Sequence, residues 1–252
     1  MRGWRLHAAF RFSRPMSSDL HDIGRLRAVL TGPARPTARP GQRSAIDKTP
    51  CTGAVAAGPL GLAGDEQGDL RVHGGPDKAV HCYAWEHYAD WRAALPHAAE
   101  RLAHPGAFGE NFSLEGVTEA QVCLGDQWQV GSARFEVSQG RQPCWKLNDR
   151  FGVPDMAQRV QEGGRAGWYL RVVRPGEVRA GDAVRLLRRP FPGWSVARLL
   201  ALIAERNCDP AVLDEVLALP LPPSWRRLFG RRRDHGGAED WRARLQGDPA
   251  GR

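Results

Sequence analysis

Through most of the chain, apolar and polar positions alternate in short runs, and only towards the end do they settle into a helical repeat. Arg25-Leu-Arg-Ala-Val-Leu-Thr31 has the period of two expected of a first strand. Pro33 to Gly41 is a proline-rich loop, and Gln42 to Ile46 is placed as a return strand. From Lys78 to about Leu95, the residues Val80, Ala84, His87, Trp91 and Leu95 fall on one stripe, which predicts a helix ended by Pro96. Three short apolar runs follow, Gln121-Val-Cys-Leu124, Gln127-Trp-Gln-Val130 and Ala133-Arg-Phe-Glu-Val137, punctuated by Gly125-Asp126 and Gly131-Ser132. Strands so closely spaced, with turn residues between them, predict a barrel or a sandwich. Pro154 to Glu162 reads as a short helix stopped by Gly163-Gly164, and Trp168–Val173 and Asp182–Leu187 as strands joined through Pro175-Gly176. Asp126 and Asp182 occupy similar turns and are expected to form them, not to act as acids.

Arg188-Arg-Pro-Phe-Pro-Gly193 is the clearest linker, and beyond it the period becomes helical. Ser195 can cap a helix to Glu205, Asp209 one from Pro210 to Leu219, and Pro222-Pro223 can open a third through Phe229. A module of about 40 residues is marginal alone, so it is expected to pack on the barrel or on a second copy, which makes it a candidate homodimer surface. The fold class is therefore α+β, mainly β with helices. Its parts are a disordered extension over 1–24, a main domain over 25–189, three helices over 190–229, and a basic, disordered tail over 230–252. The acid-free opening before Met16 is faintly like a transit peptide, but a start at Met16 itself is the simpler reading.

Net charge over the 252 residues is +8, yet residues 1–24 supply +2 of it and residues 225–252 supply +4. The body is thus nearly balanced, and no nucleic-acid reading motif accompanies the basic end, so nucleic acid is not the expected partner. The five cysteines are scattered and form no C-x-x-C pair, which argues against a disulfide framework or a structural zinc site and for a reducing, cytoplasmic compartment. No apolar run approaches the roughly 18 residues of a membrane span.

Candidate chemistry gathers at Arg141-Gln-Pro-Cys-Trp-Lys-Leu-Asn148. Gln139-Gly140 is read as breaking the strand before it, and Pro143 fixes φ and removes a donor, so Cys144 stands at a stiff corner. Arg141 and Lys146 flank the thiol, and nearby cations favour the thiolate that attacks electrophiles and binds metals. The competing reading is a small buried hydrophobe, as proposed also for Cys82. Val72-His-Gly-Gly-Pro-Asp-Lys78 offers backbone N–H groups at Gly74 and Gly75 for an anion, with His73 and Lys78 as charge partners; taken alone it reads first as a helix-entry turn, and the P-loop spacing is absent. Glu110 and Asn111 in Gly106-Ala-Phe-Gly-Glu-Asn-Phe112 either orient a polar ligand or cap a turn, and His87 is expected to be a satisfied core histidine.

Taken in order, Gly64-Asp65, Val72-His-Gly-Gly-Pro-Asp-Lys-Ala-Val80, Gly109-Glu-Asn-Phe112 and Arg141-Gln-Pro-Cys-Trp-Lys-Leu147 resemble the MOSC (molybdenum cofactor sulfurase C-terminal) family. The helical end resembles the module found in its bacterial branch linked to resistance against 6-N-hydroxylaminopurine, and the resemblance spans roughly residues 25–229. It implies a β-barrel-like fold, a molybdopterin-type molybdenum cofactor with Cys144 as the protein ligand to the metal, and reduction of N-hydroxylated small molecules to amines. Beside it, His73, Gly74, Gly75, Lys78 and Arg141 are expected to hold the cofactor phosphate, and Asn111 and Gln142 the amide edges of the pterin. The chain carries no flavin or iron–sulfur motif, so electrons are expected from a separate protein, a flavoprotein reductase. Two alternatives remain: a carrier of persulfide sulfur on Cys144, and a protein that binds molybdopterin and hands it on.

Overall fold

The computed structural model describes residues 21–69 and 73–247. Seven strands form its centre: β1 His21–Thr31, β2 Val80–Ala84, β3 Phe112–Glu115, β4 Gln127–Val130, β5 Ala133–Gly140, β6 Trp168–Arg174 and β7 Ala183–Arg188. They are hydrogen-bonded in the order β7-β4-β5-β6-β2-β3-β1, and β1 pairs in turn with β7, which closes the sheet into a barrel. The β2–β3 pair is parallel and the other pairs antiparallel. Alternation sends Trp128, Val130, Phe135, Val137, Trp168 and Leu170 into the core, where Trp128 meets Trp168 edge-on at 6.1 Å and Phe112 meets Phe135 at 5.5 Å. Burying each such side chain contributes about 1.5–3 kcal/mol.

The helices are α1 His87–Ala94, α2 Lys146–Phe151, α3 Met156–Glu162, α4 Val196–Ala204, α5 Pro210–Leu217, α6 Pro223–His235 and α7 Arg242–Gln246. Helices α4 to α6 are the expected module. The Ser195 side chain accepts from the Arg198 amide at 3.1 Å, and that of Asp209 from the Ala211 amide at 2.9 Å, as N-caps. Asp126 and Asp182 form turns as anticipated, accepting from the amides of Cys123 and Arg179.

Several expectations fail. Residues 78–95 are not one helix: a 3-10 turn over Pro76–Lys78 leads into β2, and only from His87 is the chain helical. All five residues of β2 are buried, so the strand lacks the alternation that marks a half-exposed one, and its apolar positions mimicked a helical stripe. Gly140 does not break β5 but pairs with Trp168; a Cβ there would lie 2.8 Å from Leu200 Cδ2 and 3.3 Å from Trp225, so glycine is required for α4 and α6 to reach the sheet. Residues 121–124 make a turn with an isolated bridge from Cys123 to Ser195, and the return strand shrinks to Arg43–Ser44. The extension assigned to 1–24 is strand from His21 onward, while residues 1–20 lie outside the described residues. Nor is 230–252 a disordered tail: α6 runs on to His235, the chain stays folded through α7, and only 248–252 lie outside the described residues. The fully buried Arg232 shows why, since its guanidinium is bonded to Glu239 and to the carbonyls of Leu202 and Ile203. Among the described residues no helix is long and apolar enough to cross a membrane.

Candidate functional site

Strand β5 delivers the chain to Arg141, and the corner through Pro143 presents Cys144 half-buried at the wall of a cavity. Strands β6 and β2 supply the next part of the wall. Tyr169 and His81 are register partners with rings 5.2 Å apart, and Tyr169 points opposite to the core residues Trp168 and Leu170. Asn111, just before β3, and the segments 44–48 and 65–68 complete the enclosure.

Of the residues singled out in the sequence, His73, Lys78, Asn111, Arg141, Gln142 and Cys144 all line this cavity. Gly74 and Gly75 do not. They form the turn entering the 3-10 helix, where Gly75 takes φ +91° and its carbonyl accepts from the Lys78 amide at 3.0 Å. The pair therefore aims His73 and Lys78 inward. His73 Nε2 lies 3.6 Å from Cys144 Sγ. Burial, with Lys146, Lys78 and Arg141 nearby, lowers its pKa to about 4 against a weaker pull from Asp69, so His73 is neutral at neutral pH and not the cation expected.

Lys48, His81, Lys146 and Tyr169 also line the cavity, and of these only Lys146 was noticed in the sequence, as a neighbour of the thiol. Lys48 is ion-paired with Asp65, although burial holds its pKa below the usual lysine value. Lys146 Nζ donates to the Arg43 carbonyl at 2.8 Å, and Lys78 Nζ lies 5.9 Å from the Tyr169 ring centre. Burial depresses the Lys78 pKa as well. His81 is pushed well below the histidine range, first by burial and then by the Arg141 guanidinium. Buried polar atoms without a hydrogen-bond partner among the described residues include Arg141 Nη1, His73 Nδ1 and His81 Nε2.

Asn111 is engaged by the protein. Its Oδ1 accepts from the His81 amide at 3.0 Å, and its Nδ2 donates to the Leu30 carbonyl at 3.1 Å and to Asp65 at 2.8 Å. Glu110 serves the turn: it accepts from the Tyr88 hydroxyl and from the amides of Gly106 and Phe108. His87 is satisfied by Glu119 at 2.7 Å.

Residues 69–185 match the MOSC domain, and residues 194–236 the YiiM-like 3-alpha helix domain. Protein YiiM of Escherichia coli is 40% identical over 208 residues, covering 82% of this chain and 92% of that protein. The chain belongs to the MOSC family. Its MOSC barrel and helical module superpose on the crystal structure of YiiM from Escherichia coli with a TM-score of 0.74 at 33% identity, covering 88% of this chain and 99% of the other. A Gibberella moniliformis protein named Reductase is 41% identical over 179 residues, 71% of this chain but only 32% of the fungal protein. MOSC domains are associated with binding of the molybdenum cofactor.

Proposed function

We propose that this MOSC protein is a molybdenum-cofactor-dependent reductase of N-hydroxylated small molecules, 6-N-hydroxylaminopurine among them. The observation that carries the reading is the cavity's donor set: one half-buried thiol in a cavity also lined by Lys48, Lys78, Arg141 and Lys146, with Arg141 Nη1 lacking a hydrogen-bond partner among the described residues. An anionic cofactor that brings a metal fits it on both counts. Among the described residues no group of three His, Cys, Asp or Glu side chains could cage an ion, so a metal at Cys144 must arrive with other ligands already attached. Phosphate needs charged donors, and the four cations provide them.

When bound, the cofactor supplies the two-electron couple by which a hydroxylamine, two electrons and two protons become an amine and water. Cys144 holds the metal through its thiolate. That thiolate favours the His73 tautomer carrying its proton on Nε2, which then donates to the sulfur. Arg141 and Lys78, aided by Lys48 and Lys146, hold the phosphate. Gln142 bonds the pterin edge, and Asn111, with both N–H groups engaged, offers only Oδ1. The name of the fungal relative supports a redox role. A separate flavoprotein reductase is the donor proposed to deliver the electrons.

The test is metal analysis and reductase assay of wild type and Cys144→Ser made in a host that synthesises the cofactor. Near-stoichiometric molybdenum in wild type, with activity lost in the variant, is the expected result. Folded wild-type protein without molybdenum, despite cofactor supply, would sink the proposal, and mass spectrometry for extra sulfur on Cys144 would then test the persulfide carrier.

A further inference from the structure

The segment 239–247 lies beyond the residues that match the 3-alpha helix domain, yet it returns across the molecule to the Cys144 corner. Arg244 donates from Nη1 to the Pro143 carbonyl and from Nη2 to Gln161 Oε1, each at 2.5 Å. The Arg244 carbonyl accepts from the Trp145 amide at 2.8 Å, so the same residue grips the chain on both sides of Cys144. One residue further, the Leu245 carbonyl accepts from Asn148 Nδ2 at 2.7 Å. Arg39 joins from the hairpin over 35–44: it stacks on Trp145 at 4.0 Å, pairs with Asp149 at 2.9 Å and donates to the Gln246 carbonyl at 3.2 Å.

The far end of the segment is anchored in the helical module. Glu239 pairs with Arg232 at 2.9 Å and accepts from Trp241 Nε1 at 2.6 Å, while Arg206 stacks on Trp241 at 4.1 Å. A continuous series of bonded groups thus leads from the interior of α6 to the backbone flanking the thiol. Proline at 143 removes one donor from the corner, the Arg141 amide donates to the Gly167 carbonyl at 2.9 Å and the Cys144 carbonyl accepts from the Leu147 amide at 3.0 Å, whereas the Pro143 carbonyl and the Trp145 amide between them are bonded by Arg244.

We infer that Arg244 is a positioning residue for Cys144 and that residues 239–247 are a clasp holding the thiol corner in place. The helical module is the anchor of that clasp. The inference concerns the cysteine used in the proposed reductase but is tested on metal-free protein, so the two stand or fall separately.

Amide hydrogen exchange is followed in full-length, metal-free wild type, Arg244→Met and Arg244→Lys. Exchange at the Trp145 amide is expected to rise about tenfold or more in Arg244→Met while peptides from β4 and β5 keep wild-type protection. Alkylation of Cys144 at one fixed pH should quicken in parallel. Arg244→Lys, which can satisfy one of the two acceptors, should fall between, a graded rescue that mere loss of bulk would not give. Wild-type exchange at Trp145 in Arg244→Met, or a rise shared equally by the barrel, would overturn the inference. Should Arg244→Met fail to fold, Arg244→Lys decides: raised exchange confined to the corner supports the clasp, and unchanged exchange refutes it.

Discussion

Glu110 and Cys144 show how differently two polar residues can be read before a fold is known. The place of Cys144 at a stiff corner was legible because its setting is local: Pro143 and the flanking cations lie within a few positions of it. Glu110 was ambiguous because its role is fixed by Tyr88, 22 positions away, and by a turn that forms only once the barrel does. The same reason hid Lys48, His81 and Tyr169, whose place at the cavity depends on which strands become neighbours. Glu110→Ala is expected to leave the Tyr88 hydroxyl without its acceptor and to strand the buried Phe108 amide, while the Gly106 amide keeps the Tyr88 oxygen as its partner. At about 1–3 kcal/mol for each unsatisfied group, partly relieved by water, the loss should reach roughly 2–5 kcal/mol, read as a lower denaturant midpoint at unchanged slope.

At the scale of elements, the strands with one wet face were legible from alternation, and the capped helices from their N-cap residues. What failed was the element with no wet face. β2 is buried throughout and pairs in parallel with β3, so nothing in its sequence separates it from a helix in the core. Gly140 failed for the opposite reason, since a glycine that admits a neighbouring helix looks like one that ends a strand. Gly140→Ala needs no backbone strain, but it must displace Leu200 by several tenths of an ångström. We expect a loss of about 1–3 kcal/mol and a melting temperature lower by several degrees, with a larger loss for Gly140→Val.

At the scale of the whole molecule, the basic end illustrates the limit of composition. Its arginines suggested a solvated tail, yet Arg232 is 1% exposed and ties the helical module to Glu239. Burial alone would raise the Glu239 pKa, but Arg232, Trp241 and its own amide together lower it to about 2 from the usual 4.5. Because the folded value lies below the unfolded one, the stabilisation is complete above pH 4.5 and fades as pH falls towards 2. The stability advantage of wild type over Glu239→Gln should therefore hold at neutral pH, shrink through that window and vanish below it, as followed by urea titrations at successive pH values.

The closure of the barrel also dictates an order of events during synthesis. β1 is made first, but its beginning pairs with β7, and the ion pair between Asp22 and Arg185 spans 163 positions. Until the ribosome has released residue 188, the nascent sheet has two open edges, at β1 and at β4, whose unpaired amides and carbonyls are the partners that β7 will take. Loop closure over such a distance is slow, so the incomplete barrel is the state in which the chain is exposed to strand exchange with its neighbours and to capture by chaperones. The helical module emerges only after that gap can close, and it packs on a β5 that already has both its sheet partners.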